Sequence, residues 1–516
     1  MASKAVFVLV CLVATCKLTI VLGADSGTCD VNINKPRTPA FEKNLKDVAV
    51  EAAKPDYWRK QARETMKNAI KLGENLNKNT AKSIVLFIGD GMSIPTAVGA
   101  RILKGQKNDM PGEEGFLSFE KFPYVGMSKT YNVDMQVPDC ASTATAILTG
   151  VKTKSRVVRS ERRCGARGLL LGSRCSWSTG IVTTDAIVGN TPAAAYAHSP
   201  NAEWKLESPT GCAVDDIAKQ FVGDGVEIDV ALGGGRYYFM MDDQPDPADS
   251  GVTGGRRDAD LIEAWKTKYG KLGSMAYVTD KAALQSLSTS TDYVLGLFSR
   301  LDMSYNEGRS VKEPSLSEMV EKALQLLQNK NQNYLLLVEG AHIDTGHRQN
   351  KVGRALHETL AMDKAVEKVV SMTSDLDTMV IVTADHGHTM TMAGYPCRGQ
   401  NVLGKVYAKE EFAQLSDGRS YTTFGYANGP SAVEVQKSFV EKGGRPIIDD
   451  IDTEDLDYQA QSLVPLAEET NGGEDVQIFA SGPHAHLAQG VHEQSYINTL
   501  MTYGACLGRY KTRTGC

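Results

Sequence analysis

Ser83-Ile84-Val85-Leu86-Phe87-Ile88, closed by Gly89-Asp90-Gly91, decides the fold. A continuous apolar run that stops abruptly at glycine and a carboxylate has the pattern of a strand buried on both faces, not of a half-exposed one, which would alternate. Two further runs share the design. Tyr334-Leu335-Leu336-Leu337-Val338 ends in Glu339-Gly340, and Thr378-Met379-Val380-Ile381-Val382-Thr383 ends in Ala384-Asp385-His386. Stretches with helical spacing separate them, at Leu316 to Gln328 and Ala355 to Met372, and another, Asp56 to Leu76, precedes the first strand and is expected to wrap the outside. Strands alternating with helices predict an α/β fold with a mostly parallel central sheet flanked by helices on both faces. In such sheets ligands bind beyond the carboxyl ends of the strands. Three strands ending there in a carboxylate, with His386 beside one, point to a metal centre.

Outward from this core the chain reads as an ordinary globular protein. Its 516 residues are 42% hydrophobic and 23% charged, and a formal net charge of −6 excludes a dominant basic field for nucleic acid. Val6 to Leu22 is an apolar run behind Lys4 that ends in small residues, the layout of a secretory signal peptide over residues 1–23, leaving a mature domain over 24–516. The polar, basic C-terminus from Arg509 to Cys516 does not read as a lipid-anchor signal, so a secreted, extracellular protein without a membrane anchor is expected. Of ten cysteines, Cys11 and Cys16 leave with the leader, and most of the rest should pair in an oxidising compartment. Residues 394–430, rich in Gly, Asn, Tyr and Ser, read as a small inserted subdomain.

In order and spacing, Gly89-Asp90-Gly91-Met92, Val137-Pro138-Asp139, Thr143-Ala144-Thr145-Ala146, Val338-Glu339-Gly340, Ile343-Asp344 and Thr383-Ala384-Asp385-His386-Gly387-His388 resemble the alkaline phosphatases. The match runs from about residue 40 to the C-terminus and makes the insert the counterpart of the family's crown-like subdomain. The resemblance implies a binuclear zinc site with a nearby magnesium, a serine nucleophile that forms a phosphoserine, and an arginine that clamps the phosphate. Asp90, Asp385 and His386 match the protein ligands of the second zinc, and Thr191 and Glu339 join Asp90 around the magnesium. The family also implies a homodimer, a C-terminal disulfide between Cys506 and Cys516, and another joining Cys212 to Cys164 or Cys175.

Against that pattern the chain departs at the chemistry itself. Of the first zinc's ligands only Asp344 remains, with Arg348 and Asn471 standing where the family has histidines. A guanidinium has no lone pair to give a metal, and an amide is a weak zinc ligand. His347, next to the lost ligand, points to a different side of its helix or turn. Cys140 stands at the nucleophile position; a thiolate binds zinc well and is nucleophilic, while the competing reading is a buried small residue or half of a disulfide. Asn201-Ala202-Glu203-Trp204 lacks the clamping arginine, and Gly189 replaces a metal-side His or Asp. The segment from Ser155 to Ser178 is shorter than in relatives and unusually rich in arginine.

Losses concentrated on the nucleophile, one zinc and the phosphate grip predict strongly impaired phosphomonoesterase activity on a scaffold that keeps one zinc site and magnesium. Such a protein would act by binding an unknown protein or a phosphorylated ligand. The alternative is an active or weak metal-dependent phosphomonoester hydrolase that uses Cys140 beside the one retained zinc. A cysteine phosphatase of the tyrosine-phosphatase kind needs an arginine six residues after its cysteine, and Ala146 stands there.

Overall fold

The computed structural model describes residues 38–52, 55–158, 177–209, 214–407 and 415–516. The expected signal peptide, most of the arginine-rich segment, and Cys164, Cys175 and Cys212 lie outside the described residues.

The central sheet has ten strands. In chain order they are β1 (Ser83–Gly89), β2 (Tyr124–Lys129), β3 (Ser178–Ala186), β4 (Val230–Gly234), β5 (Met275–Val278), β6 (Tyr293–Leu297), β7 (Tyr334–Gly340), β8 (Thr378–Ala384), β9 (Val476–Ser481) and β10 (Gly490–Glu493). Across the sheet they run β10-β2-β9-β8-β1-β7-β3-β4-β6-β5. β9 pairs antiparallel with both neighbours, and every other pairing is parallel. The three apolar runs are adjacent in the middle, β8-β1-β7, and every residue of each is buried. Within β1, Ile84, Leu86 and Ile88 face one hydrophobic core while Val85 and Phe87 face the other. A strand covered on both sides is thus the direct consequence of its unbroken apolar sequence.

The helices that matter here are α1 (Pro55–Glu74), α2 (Ile94–Gln106), α3 (Cys140–Thr149), α4 (Asn190–Tyr196), α5 (Leu316–Asn329), α6 (His342–Arg348) and α7 (Val352–Met372). α5 begins on a full capping box, Ser315 with Glu318, and packs with α2 against α7 on one face of the sheet. Outside the sheet, Met390–Met392, Phe424–Gly429 and Ser462–Pro465 form a three-stranded sheet, and Lys405–Val406 pairs with Tyr421–Thr422. This small-sheet region reaches past residue 430 to strand Ser462–Pro465. Among the described residues no helix is long and apolar enough to cross a membrane.

One buried acid in α7 carries a pH prediction. Glu358 is 5% exposed, accepts a hydrogen bond from the Asn306 backbone N–H, and is pushed by burial up to about 7 from 4.5. Between those values the folded state binds more protons than the unfolded chain, so stability falls as pH rises through that window. Glu358→Gln keeps an acceptor for Asn306 and removes the ionisation. Thermal unfolding should show the variant more stable at pH 8 by about 1–3 kcal/mol and nearly unchanged at pH 4.5. Equal destabilisation at both pH values would count against a neutral Glu358.

Candidate metal centre

The register of the three central strands builds the site. Gly89 pairs with both Ala384 and Gly340, so Asp90, Asp385 and Glu339 emerge side by side at the carboxyl edge. Gly91 then turns with φ +71°, and a Cβ there would run into the His388 imidazole, so glycine is required on both counts. Asp385 is locked by the N–H groups of Gly91 and His386 on Oδ1, at 3.0 and 2.8 Å, and by the Thr143 hydroxyl on Oδ2 at 3.2 Å. His386 sits with its Nδ1 3.0 Å from the Gly387 carbonyl. A carbonyl only accepts, so Nδ1 carries the proton and Nε2 offers its lone pair to the cluster.

Cys140 is the first residue of α3, whose N-cap Asp139 accepts from the N–H groups of Ala141 and Ser142. It is reduced and buried, which settles the choice left open by the sequence against a disulfide. Its Sγ lies 3.3 Å from His386 Nε2, 3.7 Å from Asp90 Oδ1 and 3.8 Å from an Arg348 nitrogen. Ser142 turns away and bonds to Asp139 and Asn132. Asp90, Cys140, Asp344 and His386 together offer one N, S or O atom each, all within 4.8 Å of one another. The surroundings are strongly acidic. Burial, then repulsion from Asp385, Asp344 and Glu339, raises the Asp90 carboxyl well above its usual range; burial likewise lifts Glu339 to about 7, opposed by the Thr183 hydroxyl. Burial and the nearby carboxylates raise the Cys140 thiol too. Such a cluster favours a cation.

Two regions beside this cluster behave oppositely. At Glu339, the wholly buried Thr191 of α4 sets its hydroxyl beside the carboxylate, an oxygen donor among buried acids. That donor set fits a hard cation such as magnesium. Around Asp344, both carboxylate oxygens are taken: Oδ2 by Arg348 Nε at 2.5 Å, and Oδ1 by His388 Nε2 at 2.9 Å. The same guanidinium donates to Asn471 Oδ1 at 2.8 Å, and Asn471 donates to the Pro138 carbonyl at 2.8 Å. The Arg348 cation therefore fills the space among Asp344, Asn471 and Cys140, and these residues do not fit a zinc ion. His347 is buried against the Thr96 and Tyr426 hydroxyls, 3.0 and 2.9 Å away, and does not reach the cluster.

Sequence reasoning passed over two features. His388 bonds Glu469 with its Nδ1, and these partners lift its imidazole to about 9 against the burial that opposes them, so it is a second resident cation beside Asp344. Its place two residues after His386 was the available signal. Asp185 fills the room left by Gly189, where an added Cβ would collide with its carboxylate. Burial and the adjacent Asp302 raise the Asp185 carboxyl. Asp90, Cys140, Asp185, Asp344, Arg348 and Asn471 line a cavity of about 780 Å³, with Ala202, Glu203, Lys205 and Arg156 also on its walls.

A family model described as alkaline phosphatase matches residues 81–507. The chain belongs to the alkaline phosphatase family. It is 44% identical over 479 residues to the tissue-nonspecific isozyme of Rattus norvegicus, covering 88% of this chain and 89% of that protein. It is 42% identical over 479 residues to the isozyme of Homo sapiens, with the same two coverages, and 41% identical over 481 residues to the alkaline phosphatase of Gadus morhua, covering 88% of this chain and 98% of that one. The fold matches the alkaline phosphatase of the Antarctic bacterium TAB5 with a TM-score of 0.59 at 21% identity, covering 83% of this chain and 99% of that one. The Thermus thermophilus enzyme gives a TM-score of 0.59 at 21% identity, covering 84% and 93%. Alkaline phosphatases use zinc and magnesium, and this member holds a metal-type donor cluster and, as the family pattern implied, a Cys506–Cys516 disulfide.

Proposed function

We propose that this protein is a secreted, catalytically impaired alkaline phosphatase that keeps one zinc and one magnesium and works by binding a phosphorylated ligand. The observation that carries this reading is the Arg348 guanidinium seated between Asp344 and Asn471, where the family's first zinc would stand. Asp90, Asp385 and His386 are the residues to hold the zinc, with Thr191, Glu339 and Asp90 around the magnesium. In the family such metals polarise the phosphoryl oxygens. Here Arg348, with Lys205 and Arg156 on the cavity wall, offers positive charge to a phosphate without an activated leaving group.

Metal analysis of the purified chain and an assay of an aryl phosphate at alkaline pH test this reading. One zinc per chain is expected, with turnover at least about 10³-fold below an alkaline phosphatase measured alongside, the scale of one lost transition-state donor or more. Inorganic phosphate should still bind in calorimetry. Two zincs with fast turnover would overturn the reading.

A further inference from the structure

The basic stretch from Arg509 to Cys516 has no part in the metal centre, and the fold carries it to the other end of the sheet. Residues 77–81 lead into β1, whose seven residues separate this amino edge from Asp90 by about 20 Å. The Cys506–Cys516 disulfide closes the tail into a loop, and the Thr80 hydroxyl donates to the Gly515 carbonyl at 2.9 Å. His484, whose backbone N–H donates to the Asn77 carbonyl at 2.8 Å, joins the two segments. A guanidinium only donates, so His484 Nε2 accepts from Arg513 at 3.3 Å, while the ring's other nitrogen donates to the Lys78 carbonyl. Arg513 also lies over the Tyr503 ring, 4.3 Å from its centre.

Lys78, Arg509 and Lys511 are exposed, and among the described residues no carboxylate pairs with any of them or with Arg513. Asp377, on the loop before β8, is engaged with Lys82 at 3.7 Å. Two imidazoles feel the uncompensated field. Burial, then Arg513 and His486, bring His484 down to about 4, and burial and then Lys78 hold His486 below its ordinary range. On a chain of formal net charge −6, such a cluster is a local positive field that a multivalent anion would neutralise. We infer that Lys78, Arg509, Lys511 and Arg513 form a docking surface for a sulfated polysaccharide. A single small anion on exposed cations is screened by salt, whereas a chain of sulfate esters meets several cations at once and releases its counterions. Guanidinium groups engage such oxyanions through paired hydrogen bonds. The disulfide, Tyr503 and His484 hold Arg513 in place beforehand, which lowers the ordering cost of binding. This surface is independent of the phosphate-binding cavity, and the secretion proposed above is what favours a sulfated glycan over nucleic acid.

Calorimetry of a heparin oligosaccharide with the full chain over a salt series tests it. The variant Lys78→Ala/Arg509→Ala/Lys511→Ala removes three exposed side chains and should keep the parent's thermal unfolding. At low salt it should bind at least about tenfold more weakly than the parent, with the slope of log affinity against log salt smaller by about 2–3. Lys271→Ala/Lys312→Ala/Lys442→Ala lowers the net charge equally at exposed positions elsewhere and should change affinity by less than about twofold. No heparin binding by the parent, or equal losses in the two variants, overturns the surface. Duplex DNA or anionic vesicles held as tightly as heparin at the same salt would overturn the assignment to a sulfated glycan.

Discussion

The fourfold variant Cys140→Ser, Ala202→Arg, Arg348→His and Asn471→His is expected to hydrolyse an aryl phosphate at alkaline pH at least about 10⁴-fold faster than the parent chain. Each change answers a specific geometric fault. Arg348→His and Asn471→His together clear the guanidinium from between Asp344 and Asn471 and place two imidazoles beside the freed carboxylate. Ala202→Arg puts a bidentate donor on the cavity wall, and Cys140→Ser exchanges sulfur for oxygen at the start of α3. Groups acting as one unit are far from additive, so any single change should gain less than about tenfold. Zinc content ought to rise by one per chain in step with activity. A folded variant that binds two zincs and stays slow would move the defect to Gly189, where the Asp185 carboxylate occupies the space of the missing side chain.

How far the sequence could be read depended on whether a feature was local. Strands β1, β7 and β8 were visible because each is buried on both faces and needs an unbroken apolar run. The carboxylates at their ends were visible for the same reason, since a parallel sheet aligns strand ends. Helices α5 and α7 followed from their spacing, and α7 begins at Val352, one turn ahead of the expected Ala355, with Val352 already buried on the same face. The helix Pro39–Ala52 went unread; Phe41 is buried but Val50 is exposed, so its apolar residues do not mark a single core-facing stripe. Within the site, the loss of two histidines was legible, but the fate of the vacated space was not. Arg348 meets Asn471 across 123 residues and His388 meets Glu469 across 81, pairings that only the closed sheet creates. The same applies to Cys140 and His386, which come from α3 and the end of β8.

Removing the resident cation should make stability depend on metal. In the chelated protein, Arg348→Ala is expected to cost about 3–5 kcal/mol, because a buried carboxylate loses its guanidinium. Asp344 would keep only His388, while Asp90, Asp385 and Glu339 crowd the same pocket. Although burial opposes it, Arg348 and then His388 hold the Asp344 carboxyl below its ordinary range. That stabilisation is present above the unfolded carboxylate pKa and is lost as pH falls through the depressed folded value, so the gap between parent and variant should narrow on acidification. Zinc ought to restore most of the loss, since Asp344 becomes available to a second ion and each bound ion stabilises by mass action. The parent, with Arg348 in place, should gain less from zinc. Arg348→Lys keeps a cation on Asp344 and should fall between the two. Thermal unfolding in chelator and in excess zinc measures both effects, and a variant as stable as the parent in chelator would show that the guanidinium is not what balances Asp344.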